Sequence, residues 1–257
     1  MSRRPAPSAP TRRRSSPPPL AKATRAIRPR PRRPSPLTRE RIIAAALALI
    51  ERDGLASFSM RGLGAALRCE AMSLYHYFPS KAHLQDALVD HALAEVVTEP
   101  APSDPIERLR VMAYSYRAMA HRYPKLYQLL AVHRLNTPTG VRAIERVLQL
   151  VRDAAPDDRL AAQYFRALGY YLTGAALDET AGYAKGPSAA APVSDAYIAE
   201  HCPRLAAAAP YFKQVFWDGT FALGLESLLA AMRGGSITAA EPVAPNLAPK
   251  PVIRPKR

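Results

Sequence analysis

The sequence predicts an all-α protein in which a small N-terminal three-helix domain of helix-turn-helix type is joined to a larger C-terminal helical domain. Three observations lead there. From Thr38 to Met232 apolar residues recur at helical spacing rather than alternating as in strands, in runs rich in Ala, Leu and Arg. The stretch Ser59-Met-Arg-Gly-Leu-Gly-Ala-Ala-Leu-Arg-Cys-Glu-Ala-Met-Ser-Leu-Tyr-His-Tyr-Phe-Pro-Ser-Lys81 has the spacing of a helix, a three-residue turn and a second helix. Pro100, Pro102 and Pro105 then mark a boundary, beyond which six further helices fill the chain.

Each element has a local reason. Thr38 is placed to cap a first helix with Ile43, Leu47 and Ile50 on one face, and Gly54 to end it. Ser59 caps a second helix with Leu63, Ala66 and Leu67 inward. A tight Arg68-Cys69-Glu70 connection leads to a third helix of about eight residues, ending at Pro79 because the residue before proline avoids the α region. Ser80 caps a fourth, running through Leu84, Leu88 and Leu93 towards Glu99. Later helices are expected at 106–121, 124–135, 141–154, 157–183, 194–200 and 211–232. The expected domains are therefore 37–99 and 100–233, flanked by unfolded segments at 1–36 and 234–257.

The charge separates along the same lines. Of the net +15, residues 1–36 hold eleven Lys or Arg and no acid, and residues 234–257 hold four against Glu241, which leaves about +1 for the body. Ten prolines in the first 36 residues rule out a self-supporting fold or an amphipathic transit helix there. That arm is either a solvated extension or a source of non-specific phosphate contacts. Cys69 and Cys202 stand far apart with no metal-ligand spacing around them. The longest apolar run, Ile42 to Ile50, has nine residues against the roughly 20 of a membrane span, and no apolar signal segment follows the basic start. A cytoplasmic protein with no membrane partner is expected. No nucleophile–base motif, phosphate loop or metal spacing is found, so neither an enzyme nor a cofactor is expected.

In the two-helix motif, a DNA-reading helix must bury a few apolar side chains and turn small and polar ones outward. Leu74 and Phe78, four apart, supply the buried side; Ala71, Met72, Ser73, Tyr75 and Tyr77 are left facing out near the helix start. Arg61 is long enough to reach a guanine edge or a phosphate. Lys81 stands in a helix's first turn, where a cation opposes the macrodipole. It is either simply solvated or part of a phosphate site on the amides after Ser80. Tyr75 and Tyr77 are either amphipathic rings packed on the domain or, beside Ser73, contacts to the nucleic acid.

At these residues the chain resembles the tetracycline-repressor (TetR/AcrR) family of bacterial regulators, over about Leu37 to Leu93 and above all at Ser-Leu-Tyr-His-Tyr-Phe-Pro-Ser-Lys, 73 to 81. The resemblance implies that Arg61, Ala71 and Met72 contact bases and that Ser73, Tyr75, Tyr77 and Lys81 grip the DNA backbone. Two departures stand out. Arg68 occupies a turn position where glycine is usual, and Gly62 and Gly64 each weaken the second helix by about 1 kcal/mol relative to Ala.

The resemblance also implies a homodimer joined by its last long helices, reading a palindromic operator in double-stranded DNA, and an unknown small-molecule effector bound in the larger domain. Residues 157–183, with Leu160, Tyr164, Leu168 and Leu172 and with Gly169 and Gly174 permitting close approach, and residues 211–232, with Phe212, Phe216, Phe221, Leu225 and Leu228, are the expected dimer helices. Tyr116, Tyr127, His133, Tyr164, Tyr171 and Trp217 are candidates to line an effector cavity, or else aromatic members of the core. Residues 183–197 are a connector or a gate. The expected function is a regulator, by default a repressor released by its effector; the alternative is a protein that coats nucleic acid non-specifically with its basic tails.

Overall fold

The computed structural model describes residues 36–97, 102–181 and 188–234, and all regular elements among them are helical. The basic arm and proline-rich tail, the expected helix end at Glu99 and the one at Tyr183 lie outside the described residues, as does most of the early part of the 183–197 connector. The first four helices are α1 (Arg39–Asp53), α2 (Met60–Leu67), α3 (Ala71–Tyr75) and α4 (Lys81–Leu93). Three begin on hydroxyl caps: Thr38, Ser59 and Ser80 accept hydrogen bonds from the backbone N–H of Arg41, Gly62 and His83.

The inward stripes differ in detail from the expected ones. In α1 the fully buried residues are Ile42, Ala46 and Ile50, with Ile43 only half-buried. In α2 Gly64 is buried and Ala66 exposed, because the turn that follows presses on the glycine side. A Cβ at Gly64 would lie 2.9 Å from the Cys69 carbonyl oxygen and 3.2 Å from the Ala71 nitrogen. The glycine that costs helix propensity is thus what lets α3 approach α2. α3 is five residues long rather than eight; Tyr77 and Phe78 still donate to the Leu74 carbonyl, so the chain continues as a tightening turn up to Pro79.

Arg68 takes the left-handed conformation, φ 57° and ψ 44°, the one non-glycine residue at positive φ among those described. Its N–H reaches the Ala65 carbonyl, and the Cys69 N–H closes on Gly64 at 2.9 Å. Left-handed backbone costs an L-residue about 1–2 kcal/mol. Arg68→Gly is therefore expected to raise stability by about 0.5–1 kcal/mol, part of the relief being offset by glycine's greater freedom in the unfolded chain. Chemical denaturation checks this, and a variant less stable than wild type would contradict it.

The remaining helices are α5 (Pro105–Arg122), α6 (Pro124–Leu130), α7 (Pro138–Ala154), α8 (Asp158–Ala181), α9 (Asp195–His201), α10 (Pro203–Ala208) and α11 (Trp217–Gly234). α6 stops five residues short of the expected Leu135. Side chains beyond it tie back to α4, His133 Nε2 to Asp86 at 2.9 Å and Thr137 Oγ1 to Asp90 at 2.7 Å, and draw the chain off the helical path. Thr137 also caps α7, which starts earlier than expected. The last helix begins at Trp217, not Tyr211: Pro203 opens the unexpected α10, and residues 209–216 form two 3₁₀ turns around Pro210.

Two apolar clusters hold these helices. The first contains Ile42, Leu63, Leu74, Phe78, Leu84 and Leu88, but also Met119 and Ala120 of α5, Leu126, Tyr127 and Leu130 of α6 and Ala176 of α8. The DNA-motif helices and the body thus share one core. Glu51 of α1 reinforces the join by accepting the N–H groups of Lys125 and Leu126 at the otherwise uncapped start of α6. The second cluster packs Leu109, Met112, Val151, Leu168, Leu172, Phe221 and Leu225 between α5, α7, α8 and α11. Within the protomer the close approach of α8 to α11 falls at Gly224, where a Cβ would lie 2.4 Å from the Tyr171 ring; Gly169 and Gly174 face nothing within 4 Å. Residues 214–234 are long and apolar enough to span a membrane by length and composition, but Phe221, Leu225, Leu229 and Met232 of this helix pack in the core.

Candidate nucleic-acid interface and ligand cavity

The candidate reading surface is built on α2 and α3. Leu63, Leu67, Leu74 and Phe78 anchor the pair in the core, and the faces opposite remain in solvent. Arg61, in the first turn of α2, is exposed. On α3 Met72 is 68% and Tyr75 38% exposed, whereas Ala71 and Ser73 are half-buried. Ala71, Met72, Ser73 and Tyr75 thus share the start of one short helix held by Leu74.

Tyr77 and Lys81 have additional tasks. Tyr77 is half-buried rather than turned outward: its hydroxyl donates to the Leu37 carbonyl at 2.6 Å, and its own carbonyl accepts from Arg39. It pins the start of α1 to the end of the motif. Lys81 donates from Nζ to the Phe58 carbonyl at 2.8 Å and lies over the Phe58 ring. Neither expected alternative for Lys81 foresaw this partner, which answers the cost of a cation in the first turn of α4. A free Nζ donor direction remains compatible with a phosphate, since an ammonium has three.

A cavity of about 540 Å³ opens between α5, α6, α7 and α8. Its walls are mostly apolar, with Met112, Leu130, Ile144, Val147, Phe165 and Leu168 prominent. Two of the six candidate aromatic and histidine residues line it: Tyr116, and His133 of the segment tied to α4. The Tyr116 hydroxyl is 2.8 Å from that of Tyr127, whose ring is fully buried in the shared core behind the wall. Burial pushes both phenols above the ordinary tyrosine range, so this part of the wall is uncharged at neutral pH.

The other three lie elsewhere. Tyr164 is 5% exposed in the second core and donates to the Ala231 carbonyl, and Tyr171 donates to the Phe221 carbonyl at 2.6 Å. Trp217 lines a separate, more polar cleft of about 390 Å³ with Tyr114, Arg117 and His121. Missed at the sequence level were Ile144, Val147, Phe165, Arg146 and Arg166. Apolar residues at helical spacing carry no mark that distinguishes a cavity wall from a core.

Comparison with known proteins decides the family. A model described as the tetracyclin repressor-like C-terminal domain matches residues 99–234, and one described as bacterial regulatory proteins, tetR family, matches residues 42–88. The chain belongs to the TetR family. The HTH-type transcriptional repressor DrrR1 of Streptomyces coeruleorubidus is 32% identical to this TetR-family chain over 148 residues, 56% of this chain and 55% of that protein. The chain therefore spans about half the length of that curated relative. The tetracycline repressor protein class A from transposon 1721 of Escherichia coli is 28% identical over 72% of this chain and 85% of its own. Among solved structures, the TetR-family protein ActR of Streptomyces coelicolor in complex with actinorhodin superposes with a TM-score of 0.62 at 27% identity, covering 79% of this chain and 100% of that one.

Proposed function

We propose that the protein is a homodimeric, sequence-specific DNA-binding transcriptional regulator, a repressor that a small-molecule effector releases from a palindromic operator. The observation that carries this reading is the direct mechanical connection between the two sites. α4 follows the reading helix after Pro79 and Ser80, and its Asp86 and Asp90 hold His133 and Thr137, which bracket a segment whose His133 and Leu135 line the cavity. A ligand that displaces this wall acts on the helix that positions α3. For a 100-fold release the effector must prefer the non-binding state by about 2.7 kcal/mol.

Arg61, Ala71 and Met72 are assigned to base edges and Ser73, Tyr75, Tyr77 and Lys81 to the DNA backbone. Ala71 and Met72 offer only apolar contact, which suits thymine methyl groups. Dimerisation is supported by α11 and the turns before it, where Val215 is 78% and Leu223 72% exposed, an apolar surface suited to a second copy.

Selection of bound fragments from random DNA at two salt concentrations tests the reading. An enriched palindrome weakened by salt is expected. Enrichment of nothing, with binding abolished by salt, would overturn it in favour of a coating protein acting through the basic arm. On the selected operator, Arg61→Ala is expected to weaken binding by about 1–3 kcal/mol and Tyr75→Phe by about 1 kcal/mol, without loss of the dimer. Unchanged affinity in both would mean that the reading surface lies elsewhere.

A further inference from the structure

We infer that the ligand of the large cavity is an amphipathic monoanion: a compact apolar or aromatic ring system carrying one strongly acidic group, which Arg166 and Arg146 hold at the rim. This rests on the reading of the cavity as the effector site. Its interior walls are neutral, and the phenols of Tyr116 and Tyr127 remain uncharged at neutral pH. The Arg146 and Arg166 guanidinium groups, one on α7 and one on α8, are the formal charges among its described lining residues apart from His133, and no Asp or Glu among the described residues lines it.

Arg166 is the sharper signal. Its neighbours in kind, Arg108, Arg110, Arg117, Arg152 and Arg233, each meet a carboxylate within 3 Å. Arg166 instead donates from Nη2 to the Tyr170 hydroxyl at 2.8 Å and lies over the Tyr170 ring at 4.7 Å, with no carboxylate at ion-pair distance among the described residues. Stacking fixes the guanidinium plane and leaves N–H donors for an acidic oxygen. Both arginines are exposed, while Leu168 and Leu130 deeper in the cavity are buried, so the site grades from a cationic rim to an apolar floor. Its volume suits a ligand of two or three fused or linked rings.

A matched pair of fluorescent probes tests this on the full-length protein. 8-Anilino-1-naphthalenesulfonate is an anion, and N-phenyl-1-naphthylamine is the same ring system without the sulfonate. The anion is expected to bind one site per protomer at least tenfold more tightly than the neutral probe. Arg146→Gln combined with Arg166→Gln is expected to weaken the anion at least tenfold and the neutral probe less than twofold, with thermal stability retained. Gly169 lines the cavity and a Cβ there meets nothing within 4 Å, so Gly169→Phe, with melting temperature and dimer retained, is expected to obstruct the site and weaken both probes. If the obstruction weakens both but the neutral probe binds as well as the anion, or the arginine variants leave the anion unaffected, the monoanion inference is overturned while the cavity reading stands. Binding of both probes unaffected by the obstruction would overturn the cavity reading itself.

Discussion

Tyr127→Ala is expected to lower stability by about 3–5 kcal/mol, a fall in melting temperature of roughly 10 °C. Tyr127 is the largest of the fully buried side chains, and it lies in the cluster that joins the DNA-motif helices to α5, α6 and α8. Truncation leaves a cavity at that junction and removes from the Tyr116 hydroxyl its partner at 2.8 Å, leaving it Thr173. Tyr127→Phe keeps the ring and removes only the hydrogen bond, so it should cost about 1 kcal/mol. Equal losses in the two variants would show that packing of this ring does not hold the junction. The same pair gives a pH dependence. Both phenols have folded-state values raised by burial above the unfolded value near 10, so their contribution is fully present below that pH and is lost as pH rises beyond it. Unfolding by denaturant at pH 8, 10 and 11 checks the sign, and stability that rises over this range would contradict it.

Glu179→Ala is expected to cost about 2–4 kcal/mol. Its carboxylate is buried on α8 and accepts from Arg117 Nε at 2.7 Å and Nη2 at 3.0 Å, with His121 Nε2 at 2.6 Å. Arg117 also reaches Asp218 of α11 and lies over the Phe221 ring, so the cluster ties α5, α8 and α11 together. Removing one partner of a buried pair leaves the other charge desolvated, which typically costs 3–5 kcal/mol. The lower range here reflects Asp218, which still meets Arg117 from a solvent-exposed position. Asp218→Ala should cost well under 1 kcal/mol for the same reason. Urea denaturation of both variants gives the comparison, and a loss at Asp218 as large as at Glu179 would place the weight of the network on the wrong carboxylate.

Much of this molecule is legible in its sequence because the signals are local. Thr38, Ser59 and Ser80 announce three helix starts through hydroxyls that reach amides within three residues, and Pro79 ends the motif by steric exclusion at the residue before it. Leu74 and Phe78, one helical turn apart, identify the buried side of the motif's second helix, so the exposed Met72 and Tyr75 follow by elimination, whereas Arg61, on α2, stands out by its length. The nearly neutral body between basic ends is likewise a matter of counting.

Tertiary structure decided whatever depends on partners distant in sequence. Tyr77 turned inward because the Leu37 carbonyl lies forty residues away, and Lys81 found the Phe58 carbonyl. α6 ended early because Asp86 and Asp90 of α4 capture His133 and Thr137. Of six candidate effector residues, Tyr116 and His133 line the large cavity, while Tyr164 and Tyr171 serve the core and Trp217 a second cleft. Periodicity states which face of a helix avoids water. Whether that face meets another helix or the wall of a cavity depends on how far apart α5, α6, α7 and α8 are held, and only long-range packing sets that distance.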